Sequence, residues 1–163
     1  MSGNDHTGRT RKSPTAKELR VWRAFIETSE QLKNVVAVQL QAESGLSTGD
    51  YAVLLALVEH PDRRMRSSQL ADHISWERSR LSHHLGRMER RGLVTREAAA
   101  NDSRGAEIVL TPVGAHLFRS ASAPHMHTIH TAFVAALTTE QLDAVEDAML
   151  ALQAHLAPVA DAV

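Results

Sequence analysis

The sequence is most informative at residues 78–96, which read RSRLSHHLGRMERRGLVTR. The first part of this segment places apolar residues four and three positions apart, the pattern of a helix with one buried face. Gly92 is typical of the end of a helix, and the β-branched residues after it favour a strand. We therefore predict a helix over about 77–91 and a strand over 93–96. The apolar face of the helix consists of Leu81, Leu85 and Met88.

The opposite face of this helix carries small polar and basic side chains. Small residues allow the backbone to come close to another surface, hydroxyl groups donate to phosphate oxygens, and Arg or His reaches the edges of bases. The major groove of DNA, about 12 Å wide, admits a helix of this kind. We therefore predict a DNA-recognition helix. Its candidate contacts are Arg78, Ser79, Arg80, Ser82, His83 and Arg87.

The segments on either side of the recognition helix complete a winged helix-turn-helix pattern. A short helix over about 68–74 precedes it, with Ser67 as the expected N-cap and with Ser67 and Ser68 as further candidate DNA contacts. A second strand over 107–110 follows it, and the Asn, Asp, Ser and Gly residues of 98–106 predict a long-looped hairpin. An Arg at a hairpin tip can enter the adjacent minor groove. The candidate for that contact is Arg104.

Charge is distributed unevenly along the chain. The net charge is only −1, yet residues 63–104 contain ten Lys or Arg and five Asp or Glu. Residues 105–163 contain one basic residue and six acidic ones. A positive segment within a neutral-to-acidic chain is expected where a single face neutralises phosphates. The predicted partner is therefore double-stranded DNA.

Composition narrows the possible classes of protein. The chain has 163 residues, 43% of them hydrophobic, which fits one globular domain. The absence of Cys excludes disulfides, thiolate nucleophiles and thiol redox sensing. Apolar runs are shorter than the roughly 20 residues that span a membrane, so we expect a cytoplasmic protein with no membrane partner. The sequence has no Gly-rich phosphate loop, His-Glu-x-x-His motif or nucleophile elbow, so we expect neither an enzyme nor a cofactor.

The remaining segments predict a frame of longer helices. An amphipathic helix runs from Leu19 through Leu40 and ends before Gly45, and a nearly apolar helix follows, capped by Ser47 or Thr48 and stopped at His60-Pro61. Thr111-Pro112 begins a helix that Pro124 should kink or end, with a continuation over 125–137. The capping box at 138–141 starts a last helix with a coiled-coil seam, which favours exchange between two protomers. The seam consists of Leu142, Val145, Met149, Leu152 and Leu156.

These elements predict a simple domain organisation. Residues 1–14 are expected to form a disordered tail, and residues 15–163 a single domain. Within that domain, the winged helix-turn-helix occupies about 47–111. The dimerisation helices occupy about 15–45 and 112–160.

The segment 78–96, together with Asn101-Asp-Ser-Arg104 and Val109-Leu-Thr-Pro-Val-Gly114, resembles the MarR family of transcriptional regulators. The resemblance covers nearly all of residues 15–157. It implies a mostly α fold with a small β-hairpin wing, in which a winged helix-turn-helix lobe joins a helical dimerisation region. It also implies a homodimer on a near-palindromic operator, usually a repressor, released when a small aromatic or phenolic ligand fills a crevice. In such a wing Asp102 would brace the hairpin and Arg104 would touch DNA.

Three alternatives accompany this interpretation. The aromatic residues could line the ligand crevice, with Arg23 pairing a carboxylate, or could simply pack in the core and interface. A group of four histidines could bind Zn²⁺ as a metal signal, although a solvent-exposed histidine-rich turn is favoured and no metal is expected. The basic face could instead dock an acidic protein. The aromatic set is Trp22, Phe25, Tyr51 and Trp76, and the histidine set is His116, His125, His127 and His130.

Overall fold

The computed structural model describes residues 13–99 and 102–160, without the side chains of 99, 102–105 and 158–160. The predicted tail therefore lies almost entirely outside the described residues. The elements are α1 (Ala16–Ser44), α2 (Thr48–Glu59), β1 (Arg64–Arg66), α3 (Ser67–His73), α4 (Arg78–Arg90), β2 (Val94–Ala99), β3 (Asp102–Leu110), α5 (Pro112–Ala132), a 3-10 helix (Val134–Ala136) and α6 (Thr139–Ala160). This order confirms the predicted mostly α fold with a small β wing. Within the described ranges, no helix is long and apolar enough to cross a membrane.

The chain divides into two compact units, with the boundary inside α1 after Asn34. The described part of the first unit is dominated by the beginning of α1. Its apolar side chains are largely exposed, and Trp22 keeps 61% of its surface accessible. The second unit contains every later element.

The core of the second unit is built from the apolar faces that the sequence predicts. Leu81, Leu85 and Met88 of α4 are fully buried, and α2 buries most of its length. Leu70 of α3 and Ile108 of β3 complete the same cluster. The predicted recognition helix, α4, therefore packs against a buried apolar core.

Helix caps explain where several elements begin and end. Ser47, rather than Thr48, is the N-cap of α2, because its hydroxyl accepts a hydrogen bond from Asp50 N (3.1 Å) while its own N–H donates one to Asp50 Oδ2 (2.9 Å). Thr111 caps α5 by accepting from Gly114 N at 2.9 Å. Gly92 adopts φ +71°, the left-handed conformation that favours glycine after a helix.

The sheet differs from the predicted hairpin in two respects. It has three antiparallel strands in the order β1-β3-β2, and β1 pairs Met65 with Ile108. The short Arg-Met-Arg segment carries no sequence pattern of its own, so only its pairing with β3 makes it a strand. The long loop over 98–106 is wrong, because β2 continues to Ala99 and β3 begins at Asp102, with a register irregularity at Ala98/Ala99. Cross-strand pairing overrides the loop propensity of these residues.

Two predicted helix boundaries are also wrong. Arg66, not Ser67, is the N-cap of α3, since its extended backbone directs its N–H to Gln69 Oε1 (3.3 Å). α5 runs through Pro124 to Ala132, so the expected helical continuation is present after the proline but ends before 137, and a 3-10 helix at Val134–Ala136 takes the place of its last part. Burial of Ala121 and His125 on either side of the proline holds this helix against the core.

Candidate nucleic-acid interface

The solvent face of α4 presents the side chains that the sequence predicts. Because Leu81, Leu85 and Met88 point into the core, the helix can turn only one face outward. That face includes exposed hydroxyl, imidazole and guanidinium groups, the mixture that suits phosphates and base edges. The exposed predicted residues are Arg78, Ser79, Arg80, Ser82, His83 and Arg87.

Ser67 and Ser68 lie at the beginning of α3 and are half-buried. β1 precedes them directly and pairs with β3, so the wing sheet and α3 are joined without a linker. The side chains of Asp102 and Arg104 lie outside the described residues. Their backbones belong to β3, at the end of the hairpin.

Strand β2 is fixed to the recognition helix by Arg96. Its Nη2 donates to the backbone oxygen of Ser82 at 2.7 Å, and its Nε lies 3.7 Å from Glu89 Oε2. The backbone N–H of Arg96 also donates to Glu89 (3.2 Å). Across the sheet, Arg64 lies 3.3 Å from both Glu97 and Glu107. These contacts link all three strands and α4.

A buried carboxylate lies behind the exposed face of α4. Asp50 is only 2% exposed, and its Oδ2 accepts hydrogen bonds from Arg91 Nη1 (2.7 Å) and from Ser47 N (2.9 Å). His84 Nε2 lies 3.0 Å from the other oxygen, Oδ1. Burial raises the pKa of Asp50, but the contacts with His84, Arg91 and Ser47 outweigh it and leave this pKa well below its ordinary value.

Sequence reasoning missed both Asp50 and His84. Asp50 is the acidic residue in the first turn of a mostly apolar helix, and that was the available signal. His84 is adjacent to the predicted contact His83 but points inward, where it is 7% exposed. Its Nδ1 lies 2.9 Å from Arg87 Nη2, so the buried contacts reach the exposed face of α4.

The predicted ligand-binding residues fall into separate groups. Trp22 and Arg23 line a shallow groove on the beginning of α1, about 240 Å³ in volume, and Phe25 is exposed on the same helix. Tyr51 packs against Phe118 and His125 of α5, with ring centroids 5.0 and 4.3 Å away. Trp76 instead contacts His84 edge-on at 5.1 Å, and Arg80 Cζ lies 4.1 Å from its ring centre. Tyr51 and Trp76 therefore have different neighbours.

The histidines considered for Zn²⁺ do not form a cluster. His125 is buried against Tyr51, whereas the other three are exposed on α5. Among the described residues, no group of three or more His, Asp or Glu side chains could hold a metal ion. Burial lowers the pKa of His125, and its Nδ1 has no hydrogen-bond partner. The three exposed histidines are His116, His127 and His130.

Known proteins share this fold. A sequence model described as the MarR family matches residues 44–105. The chain is 33% identical to AbsC, a MarR family transcriptional regulator from Streptomyces coelicolor, over 91% of this chain and 99% of that one, with a TM-score of 0.84. It is 34% identical to Sco3205, a MarR family transcriptional regulator from the same organism solved in complex with DNA, over 91% and 92% of the two chains (TM-score 0.85).

A more distant structure has the same fold. A mutant MarR from E. coli, complexed with operator DNA, is 18% identical over 86% of this chain and 99% of that chain, with a TM-score of 0.74. The identity to the two Streptomyces regulators, over nearly the whole of each chain, establishes the relationship. The chain belongs to the MarR family of transcriptional regulators and is not an enzyme.

Proposed function

We propose that this protein is a homodimeric repressor that occupies a near-palindromic DNA site and leaves it when a small ligand binds. The observation that carries the DNA-binding part is the outward face of α4. This helix is anchored by fully buried side chains, so the backbone that carries its exposed Arg, Ser and His residues is held in place. The DNA complex of Sco3205, at 34% identity, supports the same use of this chain.

Within each lobe, α4 would enter the major groove and the wing would reach the neighbouring minor groove. Arg87 and His83 are suited to base edges, while Ser79 and Ser82 are suited to phosphates. Arg104 at the hairpin is the proposed minor-groove contact.

The homodimer is supported by apolar surface that the chain leaves uncovered. On α6, Val145, Leu152 and Leu156 of the predicted seam remain exposed. Leu19 and Trp22 of α1 are exposed as well. Exposed apolar side chains at coiled-coil spacing along α6 favour pairing with a second copy. A two-fold dimer would present two recognition helices to half-sites about one helical turn apart.

The ligand part of the proposal follows from the family resemblance and from the groove on α1. Trp22 offers a flat apolar face, and Arg23 in the same groove offers a planar guanidinium that can pair with a carboxylate. An aromatic acid would match both. Its binding would favour a lobe spacing that no longer fits successive major grooves.

Selection of bound duplexes from a random DNA library tests the proposal without knowledge of the target gene. We expect an enriched inverted repeat with half-site centres about 10 base pairs apart. The affinity should fall with salt by a slope of about −0.9 per phosphate contact. Failure to enrich any sequence would refute operator binding and favour the alternative of a module that docks an acidic protein.

The enriched duplex then serves as the probe for the ligand. Aromatic carboxylic acids should weaken its binding by wild-type protein, and Arg23→Ala should reduce that response without changing affinity for DNA alone. A panel of such acids without effect would refute this ligand class.

A further inference from the structure

We infer that Asp50 and His84 act together as positioning residues for Arg87. We call Asp50 and His84 the inner brace. This inference rests on the proposed function, because it assumes that Arg87 contacts DNA. It adds that a buried carboxylate on α2 determines how one guanidinium is presented on α4.

The two ring nitrogens of His84 lie beside different partners. Arg87 Nη2 lies 2.9 Å from His84 Nδ1. A guanidinium has five donors and no acceptor, so Nδ1 must accept this hydrogen bond and cannot carry a proton. The neutral ring therefore holds its proton on Nε2. That nitrogen lies 3.0 Å from Asp50 Oδ1, within ion-pair distance but without the alignment of a hydrogen bond among the described residues, so the carboxylate acts on it through its charge.

Two hydrogen bonds to one oxygen orient the carboxylate of Asp50. Its Oδ2 is occupied by Arg91 Nη1 and Ser47 N, at 2.7 and 2.9 Å. Arg91 is itself held by a 2.8 Å hydrogen bond from Nη2 to the backbone oxygen of Gly45. These contacts leave Oδ1 directed at His84. The negative oxygen beside Nε2 favours the proton at that position.

The imidazole of His84 lies close to Gly49 and Trp76. A Cβ added at Gly49 would lie 2.9 Å from His84 Cε1 and 2.7 Å from Trp76 Cη2. Trp76 meets the imidazole nearly at a right angle, at 89°. The ring is therefore enclosed by α2 on one side and by an indole on another. It has little room to turn Nδ1 away from Arg87.

The brace reduces the number of conformations that Arg87 explores before DNA arrives. Ordering a long, flexible side chain only on binding costs part of the binding free energy. Loss of the brace should therefore weaken operator binding by about 3- to 10-fold. The number of phosphates contacted stays the same, so the salt slope should not change.

The test is a double-mutant cycle with the operator duplex selected above. His84→Leu removes the acceptor and should weaken binding about 3- to 10-fold in the wild-type background but not in the Arg87→Ala background. His84→Gln retains an amide donor for Asp50 and an oxygen for Arg87, so it should restore most of the affinity. His116→Leu, an exposed histidine on α5, is the matched control and should bind as wild type does.

A second measurement examines the free protein. The ¹⁵N chemical shifts of the His84 ring should identify the neutral form protonated on Nε2, and Asp50→Asn should alter them. A ring protonated on Nδ1 would overturn the inference, as would an equal loss from His84→Leu in both backgrounds.

The failures of the two proposals are distinguishable. Wild-type protein that binds no DNA refutes the proposed function and the brace with it. Wild-type protein that binds, loses affinity in Arg87→Ala, and keeps it in His84→Leu refutes the brace alone.

Discussion

Two buried ionisable side chains of the second unit have opposite surroundings. Asp50 accepts hydrogen bonds from a guanidinium and a backbone N–H, so its charged form is stabilised despite burial. His125 packs against the ring of Tyr51, and its buried Nδ1 has no hydrogen-bond partner among the described residues. Asp50 should therefore stabilise the fold when it is ionised, and His125 when it is neutral.

Asp50→Ala should therefore lower the free energy of unfolding at pH 7 by about 2 kcal/mol, because the Ser47 N–H and the partly exposed Arg91 guanidinium both lose their carboxylate acceptor. The folded pKa lies below the unfolded value of about 4, so this stabilisation is fully present above pH 4. It is lost as the pH falls towards the folded pKa. Urea unfolding of wild type and variant at several pH values should show a difference that shrinks below pH 4; a constant difference would contradict the role of the charge.

His125→Phe should make the protein less sensitive to acid. Burial lowers the folded pKa of His125, so the unfolded chain binds the proton more readily and wild-type stability falls as the pH drops below about 6.5. The phenyl ring keeps the stacking with Tyr51 and cannot be protonated. Urea unfolding between pH 7.5 and 5 should give a shallower slope for the variant, with His127→Phe as the exposed control. Parallel slopes for wild type and His125→Phe would show that His125 is not responsible.

Arg87→Ala should weaken operator binding about tenfold, or more if the guanidinium is bidentate to a base. A contact with phosphate would instead lower the salt slope by about one unit. Fluorescence anisotropy of labelled operator at several salt concentrations separates the two cases. Arg119→Ala on α5 removes the same charge outside the recognition helix and should bind as wild type does. Arg87→Ala with unchanged affinity and slope would exclude this residue from the interface.

At the level of elements, the local sequence predicts where a helix begins when the residue before the helix provides a hydroxyl as N-cap. Ser47 and Thr111 each place a hydroxyl where the third residue of the helix can donate to it, so both starts were predictable. Arg66 could not be recognised as a cap, because its role depends on β1 pairing with β3. The length of the wing strands depends on the same pairing. Contacts distant in sequence therefore account for the errors.

The junction of β2 and α5 depends on the absence of a side chain at Gly114. A Cβ there would lie 2.1 Å from the backbone oxygen of Leu93, which neither chain segment can avoid. Gly114→Ala should lower the free energy of unfolding by at least 2 kcal/mol. Gly86→Ala is the matched control, since its Cβ would meet nothing nearer than 3.8 Å and its helix should gain up to about 1 kcal/mol. Urea unfolding that places both variants within 0.5 kcal/mol of wild type, a difference of about the size expected of a surface substitution, would refute the steric argument.

For the whole molecule, sequence reasoning predicted the family, the winged lobe and the seam on α6, because each has a pattern within the chain. The buried contacts of Asp50 and His84 were not predictable, since they join residues 34 positions apart whose pairing depends on how α2 and α4 pack. The domain limits and the DNA contacts remain predictions. Pairing of the seam with a second copy also remains a prediction, since a single chain cannot show it.

Leu152→Glu and Leu156→Glu together should convert the proposed dimer to monomer, because two charges would face the same apolar seam. Leu150→Glu is the matched control: Leu150 is equally exposed, at 57%, but lies on another face of α6. Sedimentation velocity should show monomer for the double variant and dimer for the control. A double variant that remains dimeric would place the interface elsewhere.

The attachment of the wing to the recognition helix has a consequence for signalling. Because Arg96 holds β2 to Ser82 and Glu89, two positions about two helical turns apart on α4, the wing and this helix should move together. On the proposed operator, each half-site should then be recognised as a unit, so an inserted base pair within it should abolish recognition. A signal that releases the operator must accordingly change the separation or tilt of intact lobes, so its effect should be largest on duplexes with the tightest tolerance for the spacing between half-sites.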